Sequence, residues 1–153
     1  MRVLTVLFAA LALSAPTTDR TPLCGGAHRP PVSAPITDPF RPPPEPWLPG
    51  NRGLEYGTDP GDPVAASQRG LVVFSGPIGA QQFITIDHGC DLVTTYSFLG
   101  ARAVVRGDRV VEGQMIGRAG VERFHFGARW RGGYIDPELL FTHRLVRVVR
   151  LVR

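Results

Sequence analysis

Apolar and polar side chains alternate with a period of two between residues 120 and 130. Such an alternation is typical of a β-strand with one buried face. The apolar positions, which are expected to face a core, are Phe124, Phe126, Ala128 and Trp130. The opposite face would carry Arg123, His125 and Arg129. His125 is the candidate ligand or catalytic group on that face, although a lone histidine on a strand is more often a hydrogen-bonded surface imidazole.

Short runs of apolar and β-branched residues follow one another through much of the chain, separated by Gly, Pro and Asp residues. These runs predict strands at residues 70–76, 83–87, 92–98, 103–105, 109–111, 114–118, 123–130 and 133–135. No stretch between residues 50 and 141 has a helical repeat. Short strands at this spacing predict an all-β domain built on an antiparallel β-sheet or sandwich.

Three segments flank this predicted domain, which covers residues 50–141. Residues 1–15 combine a basic start, an uncharged apolar run and small residues, which is the outline of a secretory signal peptide. Residues 16–49 hold 11 of the 15 prolines and predict an extended lead-in, tied to the domain by Phe40 and Trp47. Residues 142–153 form a basic tail. The chain is therefore expected to be secreted to the cell envelope.

All 17 basic residues are arginines, and the formal net charge is +4. Four of the arginines lie in the last ten residues, at Arg144, Arg147, Arg150 and Arg153. The body of the chain is consequently close to neutral, which argues against nucleic-acid binding, as does export. The tail is expected to be a frayed extension, or to make weak contact with an anionic wall polymer or membrane surface.

The chain has two cysteines, Cys24 and Cys90. In an exported protein an even pair is more naturally a disulfide than a metal site, so a Cys24–Cys90 bridge is predicted. It would pin the lead-in to the domain. Lipidation of Cys24 is the disfavoured alternative, because Leu23 stands before it where a small residue is expected.

Ordered short motifs run through about ninety residues of the predicted domain. They are Asn51-Arg52-Gly53-Leu54-Glu55, Pro60-Gly61-Asp62-Pro63-Val64-Ala65-Ala66, Gly70-Leu71-Val72, Ile86-Asp87-His88-Gly89, Thr95-Tyr96-Ser97-Phe98-Leu99, Gly107-Asp108-Arg109-Val110, Gly113-Gln114-Met115-Ile116-Gly117, Arg123-Phe124-His125-Phe126 and Ile135-Asp136-Pro137. In this order they resemble the LytM/lysostaphin family of zinc metallopeptidases. That resemblance implies the β-sheet fold with the duplicated hybrid motif, and an ancestry among enzymes that cut the peptide cross-links of peptidoglycan.

The same resemblance implies where the chemistry of such an enzyme would lie. In that family zinc is held by a His and an Asp four residues apart and by the second His of a His-x-His strand. The corresponding residues here are Asn51, Glu55 and His125. The first His of that strand and the His of a Tyr-x-His strand serve the water and the transition state, and Arg123 and Phe98 occupy these positions.

These substitutions predict a zinc site that is weak or lost. Catalytic zinc needs three good donors and an open position for water, and the Asn51 carboxamide is a poor donor. Phe98 cannot form a hydrogen bond, and Arg123 stays cationic and cannot act as a general base. Losing general acid–base assistance alone costs a factor on the order of 10² to 10⁴ in rate. His28 and His143 are candidate replacement ligands, although both lie outside the matched motifs, and His88 is interpreted as structural.

The favoured hypothesis is a degenerate, catalytically inactive domain with no cofactor expected. It would bind peptidoglycan, or regulate a cell-wall hydrolase as inactive members of the resembled family do, through groove residues Tyr96, Arg123, Arg129 and Glu55. Arginine suits this role because it pairs bidentately with the carboxylates of stem peptides. The alternative is an active zinc-dependent peptidoglycan endopeptidase with an atypical metal site. A third interpretation is a wall-spacer domain with no specific ligand.

Overall fold

Ten strands and one helical turn make up the computed structural model, which describes residues 26–121 and 123–142. In chain order they are β1 (Ile36–Asp38), β2 (Gly53–Tyr56), β3 (Pro63–Ala65), β4 (Gly70–Ile78), β5 (Gln81–Asp87), β6 (Leu92–Arg102), β7 (Arg109–Val110), β8 (Met115–Ala119), β9 (Phe124–Trp130), β10 (Gly133–Ile135) and α1 (Glu138–Phe141). The predicted all-β class is confirmed.

The strands form one antiparallel sheet in the order β1-β2-β9-β6-β5-β4-β7. Strand β10 extends β9 on one side, while β8 pairs with β6 and carries β3. On the side away from β5, strand β6 pairs with two strands in turn. Residues Leu92 to Ser97 pair with β9, and the end of the strand, from Leu99, pairs with β8. The central strands β9, β6 and β5 therefore have partners on both sides, and their side chains line the two faces of the sheet.

The alternation along β9 sorts its side chains as the sequence pattern predicts. Phe124 and Phe126 are 0 % exposed, and Ala128 is 1 % exposed. Phe124 and Phe126 lie in a core whose other members include Leu54, Ile84, Ile86, Tyr96 and Ile116. Ala128 lies in a smaller cluster with Leu92 and Leu140, against which the partly buried Trp130 packs. The opposite face of the same strand carries the polar side chains, and this face bears the site described below.

The structure differs from the predicted elements in a few places. Residues 103–105 are not a strand, because the chain there leaves the sheet for the turn at Gly107. Strands β1, β2 and β3, each three or four residues long, were not predicted. The lead-in is less detached than predicted, since it contributes β1 and packs Phe40 against the core. Trp47, however, is 78 % exposed and does not tie the lead-in down.

Several predictions fall on residues outside the described ranges. These are the signal peptide, Cys24, His143 and the arginines of the tail. Cys90 lies in the exposed connection between β5 and β6 with a φ of 50°, and the Cys24–Cys90 bridge stays a prediction. Within residues 26–121 and 123–142, no helix is long and apolar enough to span a membrane.

Candidate functional site

An open groove of about 490 Å³ crosses the face of the sheet opposite the aromatic core. Its floor comes from β2, β9, β6 and β5. Strand β10 and the residues before β2 border one end, and Ile78 of β4 borders the other. The lining residues are Gly50, Asn51, Arg52, Glu55, Ile78, Phe83, Thr85, Thr95, Ser97, Phe98, His125, Gly127, Arg129 and Tyr134. Strand register brings these residues together from four separate parts of the sequence. On the floor, His125 lies opposite Glu55 of β2 on one side and opposite Ser97 of β6 on the other.

Glu55 of β2 forms an ion pair with Arg123, the residue directly before β9. The guanidinium Nε of Arg123 lies 3.0 Å from Oε2 of Glu55. The carboxylate side chain is 12 % exposed, whereas the arginine side chain is 66 % exposed. The sole acidic side chain among the described lining residues is thus already neutralised by a neighbouring cation.

Asn51 is buried, and both its amide nitrogen and its amide oxygen form hydrogen bonds with backbone groups. Its Nδ2 donates hydrogen bonds of 3.1 Å to the carbonyl oxygens of Asp38 and Pro39. Its Oδ1 accepts a 3.2 Å hydrogen bond from the N–H of Gly53. Its own backbone N–H and C=O pair with Arg41. The carboxamide therefore fastens the lead-in to the start of β2.

His125 lies on the groove floor with an uncharged ring near neutral pH. Burial lowers the pKa of His125 below its ordinary value, and the positive charge of Arg123 lowers it further. The edge of the imidazole meets the ring of Phe98, with ring centroids 6.3 Å apart. A neutral imidazole against an aromatic ring can accept or donate a single hydrogen bond to a ligand.

Phe98 reaches the groove because β6 is irregular at this residue. Ser97 pairs with Phe83 of β5, and Leu99 pairs with Gln82, so Phe98 is an extra residue between them. Its φ of 62° is in the left-handed region that side chains other than glycine rarely adopt. A bulge of this kind re-aims a side chain, and both Ser97 and Phe98 consequently line the groove.

The residues at the family's metal positions do not fit a zinc ion. The Asn51 oxygen is already hydrogen-bonded to Gly53, and the Glu55 carboxylate is paired with Arg123. If Glu55 bound a zinc ion instead, the Arg123 guanidinium would lose its partner and lie beside a doubly charged cation. Within residues 26–121 and 123–142, no three His, Cys, Asp or Glu side chains are placed to hold a metal. Of the three candidates, His125 alone keeps a side chain that is free to ligate.

The other end of the groove is cationic. The guanidinium carbons of Arg52 and Arg129 lie 5.9 Å and 6.0 Å from the centre of the Tyr134 ring. Tyr134 is placed there by β10, where it pairs with Arg129 of β9. Arg129 was predicted from the alternation of β9, whereas Arg52 and Tyr134 were not, although both lie within predicted segments.

Two predicted groove residues do not line the groove: Arg123 is paired with Glu55 beside it, and Tyr96 faces the core. The Tyr96 side chain is 0 % exposed and belongs to the core. The Tyr96 hydroxyl lies 3.0 Å from Ser67 Oγ and accepts a 2.8 Å hydrogen bond from the Ser67 N–H. Its neighbours Thr95 and Ser97 take the groove positions of β6. Period-two alternation along β6 is the signal that would have placed Tyr96 inside.

Two other histidines lie away from the groove in a buried polar network. His88 forms hydrogen bonds to the Arg69 carbonyl at 2.8 Å and to Thr94 Oγ1 at 2.7 Å, so its structural interpretation holds. The ring of His28 packs edge-on against His88 at 4.7 Å, and its Nδ1 lies 3.0 Å from Ser67 Oγ. His28 therefore does not replace a metal ligand in the groove.

The antiparallel sheet and the groove that holds His125 are the features of a metallopeptidase-like β domain. The sequence model of Peptidase family M23 matches residues 49–137, and the chain belongs to this family. The match confirms the resemblance that the motifs indicate. The chain is also 34% identical over 95 residues to the uncharacterized lipoprotein YgeR of Escherichia coli, which is 58% of this chain and 38% of YgeR. It spans less than half the length of the curated relatives it matches.

Solved structures show the same architecture. A zinc-containing peptidase from Vibrio cholerae is 26% identical with a TM-score of 0.66, over 73% of this chain and 39% of that chain. SpoIIQ in the SpoIIQ–SpoIIIAH pore-forming complex is 18% identical with a TM-score of 0.67, over 83% of this chain and 98% of that chain. The second likeness shows the fold alone. The same fold thus occurs both in a zinc-containing peptidase and in a protein complex.

Proposed function

We propose that this chain is a non-catalytic M23 domain of the cell envelope that binds peptide portions of peptidoglycan in its groove. The observation that carries the proposal is the 3.0 Å ion pair between Glu55 and Arg123. It ties the one carboxylate of the family's metal position to a permanent cation. With Asn51 also engaged, the groove keeps its shape without the donor set of a hydrolytic zinc site.

The remaining side chains supply no substitute for that machinery. Hydrolysis of a peptide bond needs an activated water and a group that moves protons. Phe98 cannot move protons, and Arg123 remains protonated near neutral pH. His125 is the one imidazole among the described lining residues, and a single imidazole cannot both hold a metal and transfer protons.

The groove itself supports binding. It stays open along its length, and its volume is within the range typical of ligand sites. Hydroxyl groups on the floor at Thr85, Thr95 and Ser97 can exchange hydrogen bonds with a peptide backbone. Arg52 and Arg129 provide positive charge for the carboxylates that stem peptides carry.

Export to the envelope is part of the proposal. It rests on the signal-peptide pattern of residues 1–15 and on similarity to YgeR, which is named a lipoprotein. A second function, in which the domain binds and regulates a cell-wall hydrolase, is supported by the occurrence of the fold in the SpoIIQ–SpoIIIAH complex. Both functions would use a groove that no longer cleaves.

Co-sedimentation with purified peptidoglycan sacculi, together with release of soluble fragments from dye-labelled sacculi, tests the proposal. The chain is expected to sediment with sacculi and to release no dye, with or without added zinc. Thr95 lies on the floor between Thr85 and Gly127, so Thr95→Tyr should fill the groove and weaken sedimentation. Val111→Tyr is the matched control, because Val111 is 65 % exposed and does not line the groove.

Three outcomes decide between the functions. Dye release that depends on zinc would establish the active alternative and refute the proposal. If Thr95→Tyr sediments with sacculi as well as the wild type does, the binding site lies outside the groove. Absence of sedimentation, with a wall hydrolase co-purifying in a manner sensitive to Thr95→Tyr, would replace the first function by the second.

A further inference from the structure

We propose that Arg52, Arg129 and Tyr134 form a receptor for the free terminal carboxylate of a short peptide, which lies along the groove toward Phe98. This inference rests on the proposed function, in that a peptide occupies the groove. It adds the chemistry and the orientation of that peptide.

The receptor is held in place by strand pairing. Tyr134 of β10 is registered against Arg129 of β9, and Arg52 directly precedes β2, which pairs with the preceding part of β9 along the same edge, opposite β6. Both guanidinium carbons lie within about 6 Å of the Tyr134 ring. Stacking on an aromatic ring orients a guanidinium while leaving its N–H groups available to an anion. Tyr134 is 51 % exposed, so the cluster is open to solvent.

The charge of this cluster is not balanced within the groove. Arg123 is neutralised by Glu55, and Glu55 is the sole acid among the described lining residues. Arg52 uses one of its five N–H groups on the carbonyl of Pro46. Arg52 and Arg129 therefore repel each other, because no acidic side chain lines the groove beside them. A carboxylate that forms bidentate hydrogen bonds with them would relieve this repulsion.

The rest of the groove selects a peptide over other anions. Beyond the cationic end lies the hydroxyl floor of Thr85, Thr95 and Ser97, and beyond that floor lie Ile78, Phe83 and Phe98. Arg129 and His125 are four residues apart on β9, or roughly 13 Å at 3.3 Å per residue. An extended peptide of three or four residues spans this distance. Its carboxylate would meet the arginines, and an apolar side chain would meet the rings.

A phosphate polymer fits this arrangement less well. Such a polymer carries negative charge at every repeat and is bound by a row of cations along its length. Here the positive charge is confined to one end, and the opposite end is aromatic and aliphatic. The pattern matches a ligand with one anionic end.

Isothermal titration with the full chain tests the inference. The probes are acetyl-Leu-Ala-Ala-Ala with a free carboxylate and the same peptide with a C-terminal carboxamide. The acid is expected to bind about tenfold or more tightly than the amide, the effect of one charge-assisted hydrogen-bond pair. The double variant Arg52→Gln, Arg129→Gln should remove this preference. Arg109→Gln, which removes the same charge from β7 outside the groove, should retain it.

The outcomes separate this inference from the proposed function. Equal binding of acid and amide, no binding of the acid, or a preference that survives in a folded double variant would overturn the carboxylate receptor. So would stronger competition by poly(glycerol phosphate) than by the acid. Sacculi that bind the double variant as well as the wild type would leave the proposed function standing and refute the receptor. If the chain prefers the acid but does not bind sacculi, the receptor would stand and the proposed function would be refuted.

Discussion

The guanidinium of Arg123 lies 3.0 Å from the carboxylate of Glu55 on β2. In an M23 peptidase the corresponding pair of positions belongs to a catalytic metal centre, according to the motif resemblance. Here one side chain neutralises the other. Arg123 directly precedes β9, and its positive charge also disfavours protonation of His125, two residues further along the chain.

Replacing Arg123 should raise the pKa of His125. Burial is the larger cause of the lowered pKa and would remain, so the pKa in Arg123→Ala should rise toward its ordinary value without exceeding it. The variant leaves the Glu55 carboxylate, which is 12 % exposed, without its partner and should lose about 1–3 kcal/mol of stability. Titration of the imidazole by NMR measures the change. Arg109→Ala is the control, and a His125 pKa that is identical in all three proteins would show that Arg123 exerts no electrostatic effect on it.

At position 98 a glycine variant should be more stable than an alanine variant, which is the reverse of the usual order in a strand. Glycine is normally about 0.5–1 kcal/mol less stable than alanine within a strand. At Phe98, where φ is 62°, a side chain instead costs roughly 1–2 kcal/mol. Phe98→Gly should therefore be more stable than Phe98→Ala by about 1 kcal/mol, as measured by urea denaturation.

Thr85 provides the control for this comparison, because it faces the same groove from a residue without a positive φ. There Thr85→Ala should be more stable than Thr85→Gly. If both sites follow the same order, the left-handed bulge does not exist in solution.

Acidification should destabilise the fold through the buried histidines. Burial lowers the pKa of His28 to about 3, with the neighbouring His88 adding to the effect, and burial also lowers the pKa of His88. The unfolded chain then binds more protons than the folded chain below pH 6.5, so the free energy of unfolding falls as the pH falls from 6.5 toward 3. Each group contributes up to about 1.4 kcal/mol per pH unit.

His28→Gln isolates one share of this dependence. Chemical denaturation of the wild type between pH 7.5 and 5.5 should show stability decreasing with acid, and the variant should show a shallower decrease. Circular dichroism at pH 7.5 checks that the variant is folded. An unchanged slope would mean that His28 is not buried as a neutral group.

The sequence was informative wherever a pattern is local. The alternation of β9 placed Phe124 and Phe126 inside and His125 outside, and the ordered motifs indicated the family. The sequence pattern revealed the three-residue strand β10 but missed β1, β3 and, most importantly for the site, β2. That strand nevertheless supplies Glu55, whose role became clear from its motif and not from its pattern.

What the sequence could not show depends on pairing between distant residues. The ion pair of Arg123 with Glu55 requires the register of β2 on β9. The cluster at Tyr134 requires β10 to fold back on β9, which brings residue 134 beside residue 129. Tyr96 was misplaced because the motif was interpreted as a groove element, whereas its place in the alternation of β6 puts it in the core.

Zinc content is the most direct test of the central claim, that this M23 sheet has lost its metal site. The purified protein would be equilibrated with micromolar zinc, desalted and measured by elemental analysis. The triple variant Asn51→His, Phe98→His, Arg123→His would be treated in parallel, since it restores imidazoles and frees Glu55. Near-zero zinc in the native chain and about one zinc per chain in the triple variant are the results expected of a preserved sheet with a lost site. About one zinc per native chain, lost again in His125→Ala, would contradict the account.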